Sequence, residues 1–152
     1  MAKLTVDVAG CRILAVDDTP ANLEVLIEFL EGEGFDIAIA TGGEKALELA
    51  GNSKPDLILL DVMMPGIDGF ETCRRLKEQE DLEDVPVIFV TARNDLEAIM
   101  QGFKAGGDDY VTKPFNKVEL LARIRTRLER VVLARDVAEL RAKLESSGTE
   151  TS

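Results

Sequence analysis

Five polar residues follow short apolar runs at four points of this chain, and their types suit one kind of chemistry. They are two adjacent carboxylates, a third carboxylate, a hydroxyl and an ammonium: Asp17, Asp18, Asp61, Thr91 and Lys113. In a parallel sheet, ligands bind in the crevice beyond the carboxyl ends of the strands. If the apolar runs are neighbouring strands, these residues form a site for Mg²⁺ and a phosphoryl group.

Three carboxylates at such a site require a cation. Two like charges about 4 Å apart repel by ~4 kcal/mol at an effective dielectric constant near 20, and Mg²⁺ prefers oxygen ligands and commonly bridges carboxylate and phosphate. Asp61 can then act as a nucleophile, because aspartyl phosphate is a known type of covalent intermediate. The alternative for Asp17 and Asp18 is a helix cap. Thr91 alone could be an ordinary strand residue, and Lys113 a solvated surface lysine.

Composition limits the classes of function. The chain has 152 residues, a formal net charge of -11 and a pI of about 4.5. We therefore expect no direct binding to nucleic acid and no membrane contact, since both partners favour basic surfaces. The chain contains no histidine, so any phosphohistidine must lie on a partner. Its two cysteines lack metal-type spacing, and we expect reduced thiols in a cytoplasmic protein.

Apolar runs alternate with amphipathic stretches five times. Strands are predicted at residues 12–16, 35–40, 57–61, 87–90 and 110–112. A helix is predicted after each strand; Thr19 caps the first, the second spans residues 44–50, the fourth spans 96–105, and the fifth begins near Lys117. This alternation is typical of βαβ units in a sheet covered on both faces. We expect an α/β fold, a doubly wound five-stranded parallel sheet with five flanking helices.

The chain divides into four predicted segments. Residues 1–10 are a leader without clear structure, 11–130 form the α/β domain, 131–145 are a helical extension of the last helix, and 146–152 are a disordered tail. Four apolar residues of the extension have the 4-3-4 spacing of a coiled-coil seam: Leu133, Val137, Leu140 and Leu144. This spacing predicts a parallel homodimer contact through the C-terminal helix. The alternative is a solvated helix whose leucines fold back on the domain.

Four motifs occur in order at specific spacings. They are Asp17-Asp18, residues 61–69 (Asp-Val-Met-Met-Pro-Gly-Ile-Asp-Gly), Thr91-Ala92, and residues 108–115 (Asp-Asp-Tyr-Val-Thr-Lys-Pro-Phe). With these motifs, residues 11–130 resemble the receiver domain of two-component response regulators, of the chemotaxis-receiver type. The resemblance implies a flavodoxin-like sheet with strand order 2-1-3-4-5.

The resemblance also implies a role for each site residue. Asp61 accepts a phosphoryl group from a phosphohistidine on a histidine kinase or a histidine phosphotransfer protein. Asp18, Asp61 and the backbone carbonyl of Met63 bind Mg²⁺ directly, and Asp17 binds it through water. The remaining roles fall to three residues: Lys113 contacts the phosphoryl group, and Thr91 and Tyr110 form the switch pair. The bond between Lys113 and Pro114 is expected to be cis.

Several functions remain open on these residues. The first is a signalling switch with Mg²⁺-dependent self-phosphorylation and autodephosphorylation, which controls a partner or a downstream domain. The second is a receiver module of a longer multidomain signalling protein. A phosphatase with an aspartyl phosphate intermediate is disfavoured, because many such enzymes carry an acid two residues after the nucleophile and Met63 stands there. A receiver-like domain that only binds partners is disfavoured by the complete set of site residues.

Overall fold

The computed structural model describes residues 6–150, with side chains through residue 146. Five strands form one sheet: β1 (Arg12–Val16), β2 (Asp36–Ala40), β3 (Leu57–Leu60), β4 (Val87–Thr91) and β5 (Asp109–Thr112). The strand order is β2-β1-β3-β4-β5, and each neighbouring pair is parallel. The predicted fold class and strand order are confirmed.

A helix follows every strand: α1 (Pro20–Glu31), α2 (Gly43–Ser53), α3 (Gly69–Glu78), α4 (Leu96–Lys104) and α5 (Lys117–Glu150). The predicted boundaries differ by a few residues from the observed ones. Asp61 lies just beyond β3 rather than inside it, whereas Thr91 is the last residue of β4. The site residues therefore stand at the ends of the strands.

Each face of the sheet packs against its own set of helices, so the strands are buried on both sides. Within β3, Ile58 and Leu60 belong to the core cluster that includes residues of α2, α3 and α4. Leu57 and Leu59 point to the opposite cluster, which includes residues of α1 and α5. All four side chains are at most 1% exposed. This two-sided burial explains why the strands are continuous apolar runs in the sequence.

The two ends of the chain extend the domain in different ways. Val8, in the predicted leader, packs against the core cluster of α1 and α5, while residues 1–5 lie outside the described part. Helix α5 continues to Glu150, so it includes residues 146–150 of the segment predicted to be a tail. Residues 151–152 are not described. Among the described residues, no helix is both long and apolar enough to cross a membrane.

Candidate functional site

The register of β1 and β3 brings the carboxylates together. Val16 pairs with Leu60, so the next residue on each strand, Asp17 and Asp61, leaves the same edge of the sheet. Asp17 is 1% exposed and Asp61 6%, whereas Asp18 is more open to solvent. One carboxylate oxygen from each of the three lies within 4.8 Å of the others. The structure therefore assembles the three predicted acids into one cluster.

Asp17 is held in place by the first turn of α1. Its Oδ1 accepts the backbone N–H of Thr19 at 2.9 Å, and its Oδ2 accepts the side-chain amide of Asn22 at 3.2 Å. Thr19 is the N-cap residue of α1, as predicted, but its hydroxyl makes no capping hydrogen bond. Asn22 was missed by sequence reasoning. An amide five residues after a strand-end acid, in the first turn of a helix, was the available signal.

Lys113, the residue after β5, supplies positive charge. Its Nζ lies 2.7 Å from Asp17 Oδ2 and 3.5 Å from Asp61 Oδ2. The backbone N–H of Lys113 donates to the Thr91 carbonyl at 2.8 Å, which ties this segment to the end of β4. The Lys113–Pro114 bond is cis, as expected. One ammonium thus pairs with two of the three carboxylates, and the cluster keeps a surplus of negative charge.

The environment of Asp61 opposes its ionisation. Burial raises the pKa of the Asp61 carboxyl above its usual value, and the charge of Asp17 adds to the rise. A hydrogen bond from the Thr91 hydroxyl and the charge of Lys113 act in the opposite direction but do not cancel the effect of burial. A divalent cation would favour the ionised form that acts as a nucleophile.

Thr91 and Tyr110 meet the same loop after β4. Thr91 is fully buried, and its Oγ1 accepts the backbone N–H of Arg93 at 3.4 Å. The Tyr110 hydroxyl donates to the Arg93 carbonyl at 2.7 Å, and its ring packs on Phe89 with 5.9 Å between centroids. A movement of the loop at Arg93 therefore affects both predicted switch residues.

The loop between β3 and α3 closes the site on a second side. The Met63 N–H donates to Asp61 Oδ1 at 3.4 Å, and the Met63 side chain is exposed. Asp68 caps α3 by accepting the Glu71 N–H at 2.8 Å. A Cβ on Gly69 would lie 2.2 Å from the Asp61 carbonyl oxygen, so only glycine lets α3 start this close to Asp61. Sequence reasoning quoted Gly69 within a motif but gave it no role.

The donor set suits Mg²⁺. Three carboxylates converge, and of these Asp18 is open enough to bind an ion that keeps some of its waters. Mg²⁺ in proteins commonly combines one or two carboxylates with waters and phosphate oxygens. The residues present therefore fit this ion.

A family model described as "Response regulator receiver domain" matches residues 13–125. The chain is 45% identical over 119 residues to the "DNA-binding dual master transcriptional regulator RpaA" of Synechocystis, covering 78% of this chain and 49% of that protein. It is also 45% identical over 119 residues to the "DNA-binding response regulator MtrA" of Mycolicibacterium smegmatis, covering 78% and 51%. The chain thus spans about half the length of the curated relatives it matches.

Solved structures show the same relationship. A response regulator receiver domain protein (CheY-like) from Methanospirillum hungatei aligns with a TM-score of 0.76 at 31% identity, covering 81% of this chain and 97% of that one. The chemotaxis protein CheY4 of Vibrio cholerae aligns with a TM-score of 0.74 at 29% identity, covering 78% and 98%.

These relatives overturn one expectation. The acidic charge led us to exclude nucleic acid as a partner, but the matched regulators are named as DNA-binding proteins, so that exclusion is wrong. Binding to DNA phosphates requires a local basic surface. The net charge of a receiver domain does not show whether another part of a regulator carries such a surface.

The strand-end acids, the lysine that follows β5 and the extent of the family match lead to one conclusion. The chain belongs to the response regulator receiver domain family.

Proposed function

We propose that this receiver accepts a phosphoryl group on Asp61 from a phosphohistidine of a partner histidine kinase or histidine phosphotransfer protein. The observation that supports the proposal most strongly is the burial of Asp61 within a cluster of three carboxylates that Lys113 partly neutralises. Such a cluster is unfavourable in the absence of a cation and a group for that cation to bind.

In the proposed reaction, a carboxylate oxygen of Asp61 attacks phosphorus while the bond from phosphorus to the partner's imidazole nitrogen breaks. The departing imidazole nitrogen keeps the electron pair. Mg²⁺, held by Asp18, Asp61 and the Met63 carbonyl with Asp17 acting through water, would neutralise phosphoryl oxygens. Lys113 supplies a second cation close to Asp61. The same groups support slow self-phosphorylation by small phosphodonors and autodephosphorylation.

The conformational response is proposed to pass through Thr91 and Tyr110. A phosphoryl group on Asp61 offers new acceptors to the Thr91 hydroxyl, which now accepts the Arg93 N–H. The Tyr110 hydroxyl donates a hydrogen bond to the backbone carbonyl of the same Arg93. A shift of the loop toward the phosphoryl group therefore changes the position of Tyr110 and of α4, which begins just after this loop.

The setting of the receiver is also a proposal. We place it in the cytoplasm, with residues 11–130 as the receiver and residues 131–145 as a helical extension. The relatives are about twice as long as the matched segment. That length favours the alternative of a receiver that works as one module of a longer regulator, whose other segments make the DNA contacts named for those relatives.

The test is intact-mass measurement after incubation with acetyl phosphate and Mg²⁺. One phosphoryl group should be added to the parent protein and none to Asp61→Asn. Asp56→Asn is the matched control, because it changes a buried aspartate at the other edge of the sheet, and it should be labelled like the parent. Normal labelling of Asp61→Asn would refute the assignment.

A further inference from the structure

The extension of α5 carries an apolar stripe that is exposed in the described part of the chain. Four side chains form the stripe and are 45–72% exposed: Leu133, Val137, Leu140 and Leu144. Upstream, Ile124 and Leu128 on the same helix are fully buried against the sheet. Val132 still packs against the core, and the exposed stripe begins with the next residue, Leu133.

The opposite side of the extension is anchored to the domain. The Arg135 guanidinium pairs with the Asp56 carboxylate, which is 8% exposed and also accepts the Arg12 N–H at 2.7 Å. In a heptad with Leu133 and Leu140 at d and with Val137 and Leu144 at a, Arg135 occupies f, the position opposite the seam. The anchor therefore fixes the rotation of the helix so that the stripe faces away from its own domain. The exposure of the leucines disfavours the alternative in which they fold back on the receiver.

We propose that this stripe is one strand of a parallel two-stranded coiled coil formed with a second copy of this chain. A β-branched residue at a with leucine at d favours two strands in parallel coiled coils, and Val137 lies between Leu133 and Leu140 in this arrangement. The flanking charges are complementary: Asp136 at g would face Arg141 at e of the second copy, and symmetry makes the pair twice. Both side chains are exposed and accessible to such a partner.

The association is weak by itself, because the seam covers only about two heptads and short helices are marginal in water. Sedimentation equilibrium of the full chain should show a mass that rises from monomer toward dimer between about 10 µM and 1 mM. Leu140→Asn should remain monomeric over this range. Glu139→Asn, the matched control one residue away and outside the seam, should behave like the parent. A parent that stays monomeric, or a Leu140→Asn variant that dimerises equally well, overturns the proposal.

Disulfide formation tests the direction of the helices. In a parallel pair, the two d residues of one layer face each other, so Leu140→Cys should cross-link to itself on mild oxidation. In an antiparallel pair, residue 140 faces residue 137, and only the double variant Val137→Cys/Leu140→Cys would cross-link. The native Cys11 and Cys73 are buried and do not compete. Cross-linking of the double variant alone would refute the parallel arrangement. The phosphotransfer proposal stands or falls separately, since Asp61 labelling does not require dimerisation.

Discussion

The parallel strands all begin at one edge of the sheet, the amino-terminal edge, and all end at the other, the carboxyl-terminal edge. Both edges carry carboxylates, but only the carboxyl-terminal edge keeps surplus negative charge. At the amino-terminal edge, Asp56 precedes β3 and Asp108 precedes β5. Each accepts the N–H of the first residue of a neighbouring strand, Arg12 at 2.7 Å and Val87 at 2.8 Å.

Each of these two acids also meets a basic residue. Arg135 pairs with Asp56, and Lys77 lies 3.5 Å from Asp108. Charge and hydrogen-bonding capacity are thus both satisfied locally. At the carboxyl-terminal edge, three carboxylates cluster, and the ammonium of Lys113 pairs with Asp17 and Asp61. The comparison indicates that a strand-start aspartate in this chain connects strands, whereas a strand-end aspartate retains charge for a ligand.

The largest expected effect is on the affinity for Mg²⁺, which should depend on the carboxyl-terminal edge and not on the amino-terminal edge. Asp18→Asn removes one oxygen ligand and one charge from the proposed Mg²⁺ site, so the affinity for Mg²⁺ should fall by at least ~10–100-fold, the range that even outer partners of a metal site contribute. Calorimetric titration measures this. Asp56→Asn should leave the affinity unchanged. If Asp18→Asn binds Mg²⁺ as tightly as the parent, the strand-end cluster is not the metal site.

A second prediction concerns the free energy of unfolding, to which Asp56 at the amino-terminal edge should contribute. Asp56→Ala removes the acceptor of the Arg12 N–H and the partner of Arg135. We expect a loss of ~1–2 kcal/mol in the free energy of unfolding, because a partly buried donor is left without a partner. Urea denaturation measures the loss, with Asp56→Asn as a milder variant that keeps an acceptor. An unchanged free energy of unfolding would show that Asp56 does not connect the strands.

A smaller effect is expected in the lifetime of the phosphorylated state. The thioether of Met63 is exposed beside Asp61 and cannot orient an attacking water, while Arg93 lines the same cleft as Asp18 and Met63. Replacing Met63 by Asn and Arg93 by Glu should speed dephosphorylation several-fold. Loss of label after removal of the phosphodonor gives the rate. A double variant that decays no faster contradicts the shielding role of these two side chains.

The sequence predicted the strand-end site because its signals are local. An apolar run followed by Asp61, or by Thr91, marks a strand end wherever the strand pairs. The strand-start edge was not predicted, because the contacts of Asp56 join residues 44 and 79 positions apart. Such contacts depend on register and on the path of α5. Thr19 shows a related limit: the sequence placed the N-cap residue correctly, but its hydroxyl makes no capping hydrogen bond, and its own backbone N–H donates to Asp17. Residue type alone does not decide whether a capping side chain forms its hydrogen bond.

The smallest expected effect concerns the stability of the metal-free protein. Burial raises the pKa of Asp61 in the folded state above its ordinary value, so the folded protein binds this proton more tightly than the unfolded chain does. Stability from this group is therefore fully present below the unfolded pKa and is lost as the pH rises through the folded pKa.

In EDTA at neutral pH, Asp61→Asn removes an unfavourable buried charge and should raise the Tm by a few degrees, since ~1 kcal/mol corresponds to roughly 2–4 °C for a domain of this size. The gain should shrink as the pH is lowered into the range where Asp61 protonates, and Mg²⁺ should stabilise the parent more than the variant. Thermal denaturation at several pH values, with and without Mg²⁺, measures both trends. A variant that is less stable than the parent at neutral pH without Mg²⁺ would show that the strand-end carboxylate is as well satisfied as Asp56, and that the difference between the two edges is not one of surplus charge.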